Sequence, residues 1–205
     1  RGQTILCLAI ALAVSAVAAA GVFLRGDGST AEAVSIRGET FRYALTGIYR
    51  YNAERVVAEG IGWDAVTLFV VLPAFLIGLP FLYRGSLKGR LFVLGMLAYF
   101  LYQYLEYSLF WAYGPLFLPF VAIYAASALA IVWIAAGSPD FKDLVMPSFP
   151  RKGMAGLCFA MSALLVLMWF GRIFSSMGGN VQGVLYGTTT LVVQSLDLGL
   201  LVPLM

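Results

Sequence analysis

Long uncharged apolar stretches alternate with short polar ones along this chain, and that alternation predicts its elements. Six stretches approach the roughly 20 apolar residues an α-helix needs to cross about 30 Å of hydrocarbon: about residues 4–24, 65–83, 91–111, 115–136, 153–173 and 183–205. The first carries no charge and ends at Arg25-Gly26-Asp27-Gly28. Its Ala9, Ala13, Ala16 and Ala20 recur at helical spacing and admit a close neighbouring helix. Its tail, Val17-Ala18-Ala19-Ala20-Gly21, also suits a signal-peptidase site, so a cleaved signal competes with an anchor, and the length favours the anchor. Pro73 and Pro80 remove backbone donors from the second stretch and should bend it. Arg84, Lys88 and Arg90 crowd the turn after it and send the third stretch back antiparallel. Pro115 is placed for the first helical position of the fourth, which Gly137-Ser138-Pro139 terminates.

Residues 26–62 form the long polar region. Phe41, Leu45, Ile48, Val56 and Val57 recur at three-and-four spacing among Arg42, Arg50, Glu54 and Arg55, which predicts one or two amphipathic helices. Tyr43, Tyr49, Tyr51 and Trp63 add rings that favour the headgroup level. The expected fold is therefore an all-α polytopic transmembrane bundle of six spans in a single domain. An amphipathic extracytoplasmic segment lies between spans one and two, either as a cap on the membrane surface or as a solvated loop with one packed face.

Composition narrows the chemistry. The chain is 61% hydrophobic and 11% charged, against about 25% charged for a soluble domain, so soluble-enzyme and nucleic-acid readings are poor ones. With no histidine, imidazole ligation of haem, chlorophyll or zinc is removed, together with a histidine general base. No cofactor or metal is expected beyond a bound lipid, quinone or carotenoid lying against the aromatic third span. Cys7 and Cys158 form no C-x-x-C pair and read as small buried hydrophobes. Placing the N-terminus inside puts seven of the 13 cations, including every lysine, in the cytoplasm against Asp140 and Asp143. The other six cations face out, balanced by six acids that include Asp64. The positive-inside rule counts cations, and the short lysine-bearing loops decide for a cytoplasmic N-terminus. A chain that starts at Arg1 and ends in the apolar run Leu201-Val202-Pro203-Leu204-Met205 reads as part of a longer precursor with a further span.

Polar side chains inside the spans are the sharpest candidates, because an intramembrane carboxylate needs a partner, a proton or water. In span three, Tyr99, Tyr102, Gln103 and Glu106 share one helix face, and in span six Thr190, Gln194 and Asp197 do the same. The plainer reading is polar glue between helices. The functional one is a proton-coupled carrier, with Arg172 as counter-ion to Glu106, and Asp197 either neutral or held by the Tyr99 hydroxyl. Gln103-Tyr104-Leu105-Glu106 and Gln194-Ser195-Leu196-Asp197 echo one another, each closing a group of three spans as in inverted-repeat transporters. In so restricted a composition, a four-residue match reads as coincidence.

At Gly47-Ile48-Tyr49-Arg50-Tyr51, Arg84-Gly85-Ser86-Leu87-Lys88-Gly89-Arg90, Tyr99-Phe100-Leu101-Tyr102 and Leu196-Asp197-Leu198-Gly199, the chain resembles a group of uncharacterised multi-pass bacterial membrane proteins. The resemblance runs from about Gly47 onward. It implies a bacterial inner membrane and a further C-terminal span, and it transfers no active-site residue. The expected function is that of a non-catalytic accessory or scaffold subunit contacting lipid or a membrane complex. The alternatives are a small proton-coupled transporter using Glu106 and Asp197, and a membrane enzyme acting on lipids.

Overall fold

The computed structural model describes residues 1–137, 150–177 and 190–205. The chain is mostly helical and divides into two compact units, Arg1–Glu32 with Arg42–Ser138 and Ala33–Phe41 with Pro139–Met205.

The first unit is built around α1 (Gly2–Phe23), whose Cys7, Ile10, Ala11, Val14, Val17, Ala18, Gly21 and Val22 are buried at three-and-four spacing. That single stripe packs against three other helices of the unit, and the opposite face, with Ile5, Leu8 and Leu12, stays exposed. Strands β1 (Thr30–Val34) and β2 (Thr40–Ala44) then pair as a hairpin. This corrects the helical expectation for residues 41–48. Phe41 and Tyr43 sit in a strand, because Thr40-Phe41-Arg42-Tyr43 combines β-branched and aromatic residues that favour extended backbone. Gly38 and Gly47 hold φ of +87° and +86°, values that close turns and that no α-helix contains. Between the first strand and α1, the exposed Asp27 carboxylate accepts from the Ser29 amide and the Thr46 hydroxyl. Hydrogen bonding from the Ser29 side chain, the Thr46 hydroxyl and the Ser29 amide lowers its pKa to about 2.

Helix α2 (Glu54–Val66) runs without a break through a π-helical turn, Thr67–Val71, into α3 (Leu72–Tyr83). The second apolar helix therefore begins at Glu54, well before residue 65. The π turn sits where proline chemistry requires a distortion. Pro73 has no amide hydrogen, and its ring would strike the carbonyl of Phe69, four residues earlier. Widening that turn moves the carbonyl away.

Ser86 caps α4 (Leu87–Phe110) by accepting from the Gly89 amide. Helix α5 (Phe117–Ala136) returns along α4 and ends at Gly137. Its first helical residue is Phe117, so Pro115 precedes the helix by two residues instead of opening it. Phe75, Leu97, Phe100, Tyr104, Ile123 and Ile134 join the buried stripe of α1 in one core.

In the second unit, α6 (Arg151–Met177) is followed after residue 189 by α7 (Val192–Leu196), a second π turn (Asp197–Leu201) and α8 (Val202–Leu204). This π turn again precedes a proline, Pro203, and contains the residue four positions before it, Gly199. Most of the connection expected between spans four and five, with Asp140 and Asp143, and the start of span six at about residue 183 lie outside the described residues.

Among the described residues, four helices are long and apolar enough to cross a membrane: α1, the continuous Glu54–Tyr83 helix, α5 and α6. Helix α4 has the length, at 24 residues, but carries Lys88, Arg90, Gln103 and Glu106. Val192–Leu204 is a shorter apolar helix.

Candidate functional site

Asp64 carries the densest polar chemistry of the first unit. It lies ten residues into the Glu54–Tyr83 helix and is 1% exposed. Counting back from Arg84 at about 1.5 Å per residue puts it roughly 30 Å away along the helix, one hydrocarbon thickness from the cationic turn. Its carboxylate receives two phenols. The Tyr49 hydroxyl donates to Oδ2, and the Tyr107 hydroxyl lies 3.4 Å from Oδ1 and 3.2 Å from the Gly60 carbonyl. Burial, reinforced by the Asp64 charge, pushes the Tyr49 phenol far above its ordinary range. Tyr49 therefore stays protonated and donates.

The backbone holds the phenols in place. Asn52 is buried, donates through Nδ2 to the Tyr49 carbonyl at 3.1 Å and accepts at Oδ1 from the Ala112 amide at 2.7 Å. One side chain thus ties the loop after the hairpin to the end of α4. Trp111 stacks edge-on against Tyr49 and tilted against Tyr107, with ring centroids 4.3 and 4.5 Å apart. Two glycines make the approach feasible. A Cβ on Gly21 would lie 1.8 Å from Asp64 Oδ2, and one on Gly60 would lie 1.7 Å from the Trp111 ring. The crevice among Tyr49, Asn52, Tyr107, Trp111 and Phe120 has a volume of about 10 Å³, near the minimum for one water.

One helical turn beyond Asp64, the buried Thr67 hydroxyl meets the Tyr99 hydroxyl at 2.7 Å. Of the stripe expected on α4, Tyr99 therefore bonds Thr67. Tyr102 donates to Glu106 at 3.2 Å within the helix, and Gln103 is buried. Gln103 Nε2, the Tyr104 hydroxyl and the Ser127 hydroxyl are buried without a hydrogen-bond partner among the described residues.

In the second unit, Asp197 accepts from the Trp169 indole N–H at 2.6 Å, and the Arg172 guanidinium lies 5.2 Å from the centre of that ring. Asp197 thus meets the indole edge and Arg172 the ring face of one tryptophan, a role that sequence reasoning assigned to no aromatic residue. Gln194 is buried one turn before Asp197, and Thr190 is exposed. Asp64 and Tyr49, read from the sequence only as an outward-facing acid and a headgroup-level ring, join Asn52, Thr67, Tyr107 and Trp111 as site residues that were not among the candidates. The available signal was Gly60, Asp64 and Thr67 at spacings of four and three, legible only once the helix is taken to start at Glu54.

Among the described residues, no three His, Cys, Asp or Glu side chains converge as a metal-ligand set. Cys7 and Cys158 are free thiols. Comparison with known proteins finds no matching family model, no matching curated protein and no matching solved structure.

Proposed function

We propose that this protein is a non-catalytic component of a bacterial inner membrane, a scaffold or accessory subunit that contacts lipid or a membrane complex. In this reading it has six spans, a cytoplasmic N-terminus and the hairpin on the extracytoplasmic side. The observation that carries the reading is the closure of the Asp64 site. Both carboxylate oxygens are occupied by phenols, the phenols are clamped by Asn52 and Trp111, and the adjoining crevice is water-sized. A carboxylate so enclosed acts as a bolt joining α2, α4 and the loop after the hairpin, with α1 packed against it at Gly21, because opening it would leave buried polar groups unpaired. The exposed apolar side chains of α6, among them Phe159, Leu164 and Leu167, supply the kind of surface that lipid or another span covers.

A second reading, the small proton-coupled transporter, draws support from Asp197, which opens a π-helical turn, since π turns recur at functional sites. Reconstitution separates the two. Proteoliposomes with an entrapped pH dye should show the proton leak of empty vesicles for the wild type, Glu106→Gln and Asp197→Asn alike. A flux in the wild type that Asp197→Asn abolishes would overturn the scaffold in favour of the carrier.

A further inference from the structure

We infer that the groove between α3 and α4 at the cationic turn holds an anionic phospholipid, its phosphate at Lys88 and one acyl chain along Phe81 and Ile77. This rests on the membrane reading above.

The groove has a volume of about 450 Å³, within the range of small-molecule sites. Its walls are Ile77 and Phe81 of α3 and Phe92 of α4, all substantially exposed. Gly78 and Gly89 lie at its base, where the two helices pack tightly. A Cβ on Gly89 would lie 2.5 Å from Phe81 Cβ, and one on Gly78 would lie 2.8 Å from the Phe92 ring. With no side chain at either glycine, Phe92 packs over the Gly78 backbone and Phe81 over that of Gly89.

Polarity is graded along the groove. Lys88 and Ser86 line it at the turn, and Arg84 is exposed on the same turn. Arg90 is engaged with the Gly137 carbonyl at 3.0 Å. Ser86 caps a 24-residue helix whose N-terminal amides carry the positive end of the helix dipole. From that end inward, the wall passes to Phe81 and then Ile77, one helical turn deeper. A cation and a helix start at one end, with an apolar trough running from them, match a phosphate followed by an acyl chain. Basic sites between helices at a membrane surface bind anionic headgroups on this physical basis.

Native mass spectrometry of the full chain, released from detergent and titrated with phosphatidylglycerol or phosphatidylcholine, tests the assignment. The wild type should retain phosphatidylglycerol about fivefold more strongly than phosphatidylcholine, equal to about 1 kcal/mol at 1.4 kcal/mol per tenfold. Lys88→Gln should erase the preference, Lys88→Arg should keep it, and Ile77→Trp, which fills the trough, should lose the adduct. Lys152→Gln, outside the groove, should change nothing. A preference that survives Lys88→Gln, or competition by inorganic phosphate as strong as by the lipid, overturns the site. Release of the chain from membranes by alkaline carbonate is a different failure, since it overturns the membrane reading as well.

Discussion

At the scale of single residues, the Asp64 site shows how one carboxylate organises a chain that is otherwise almost all hydrocarbon. Its neighbours are specified by geometry that leaves little slack. Adding one methyl at Gly21 drives a Cβ into Asp64 Oδ2, and overpacking of this kind costs about 1–3 kcal/mol. Removing the Tyr49 hydroxyl leaves a buried carboxylate short of a donor, at about 1–3 kcal/mol. Gly21→Ala and Tyr49→Phe should therefore each lower the unfolding midpoint in mild detergent. Asp64→Asn with Tyr49→Phe should lose less than the sum of the two single changes, because the partners of one hydrogen bond are not independent. Additive losses in that double-mutant cycle would show that the phenol and the carboxylate stabilise the fold separately.

At the scale of elements, the two π turns answer the same problem. Each ends two residues before a proline and contains the carbonyl that the proline ring would otherwise strike. Each also begins at a buried polar residue, Thr67 or Asp197, with another one turn earlier, Asp64 or Gln194. A π turn holds one residue more than an α turn, so its excision should leave the flanking faces in register. Deleting Val70, which is exposed within the turn, together with Pro73→Ala should preserve the Asp64–Tyr49 contact and the Phe75 packing. Deleting Leu76, exposed in regular α-helix, should rotate everything before it by about 100° and unseat Asp64. Hydrogen exchange of the Asn52–Ala112 contact distinguishes the two deletions.

At the scale of the whole molecule, the proposed orientation rests on the distribution of charge, and labelling tests it. In a variant whose Cys7 and Cys158 are replaced by alanine, Ile36→Cys at the hairpin tip should react with a membrane-impermeant maleimide on intact cells. Lys152→Cys, at the start of α6, should react only after permeabilisation. The reverse pattern would invert the proposed topology.

The helical character of the first five apolar stretches and the ends at Arg25, Arg84 and Gly137 were legible from the amino-acid order alone, because a helix that must satisfy its own backbone depends on neighbours within four residues. The hairpin was less legible. Phe41, Leu45 and Ile48 fit a helical period as well as a strand does over so short a run, and the positive φ of Gly38 and Gly47 settled the matter. The Asp64 site was hidden for a different reason. Tyr107 lies 43 residues from Asp64, and Asn52 lies 60 from Ala112. No local pattern encodes pairings of that separation. Among Tyr99, Tyr102, Gln103 and Glu106, periodicity could show that one helix face is polar. Only the packing of α1, α2 and α4 decided that the most enclosed acid of this region would be Asp64, because burial and hydrogen-bond partners belong to tertiary contacts and not to the order of residues along one helix.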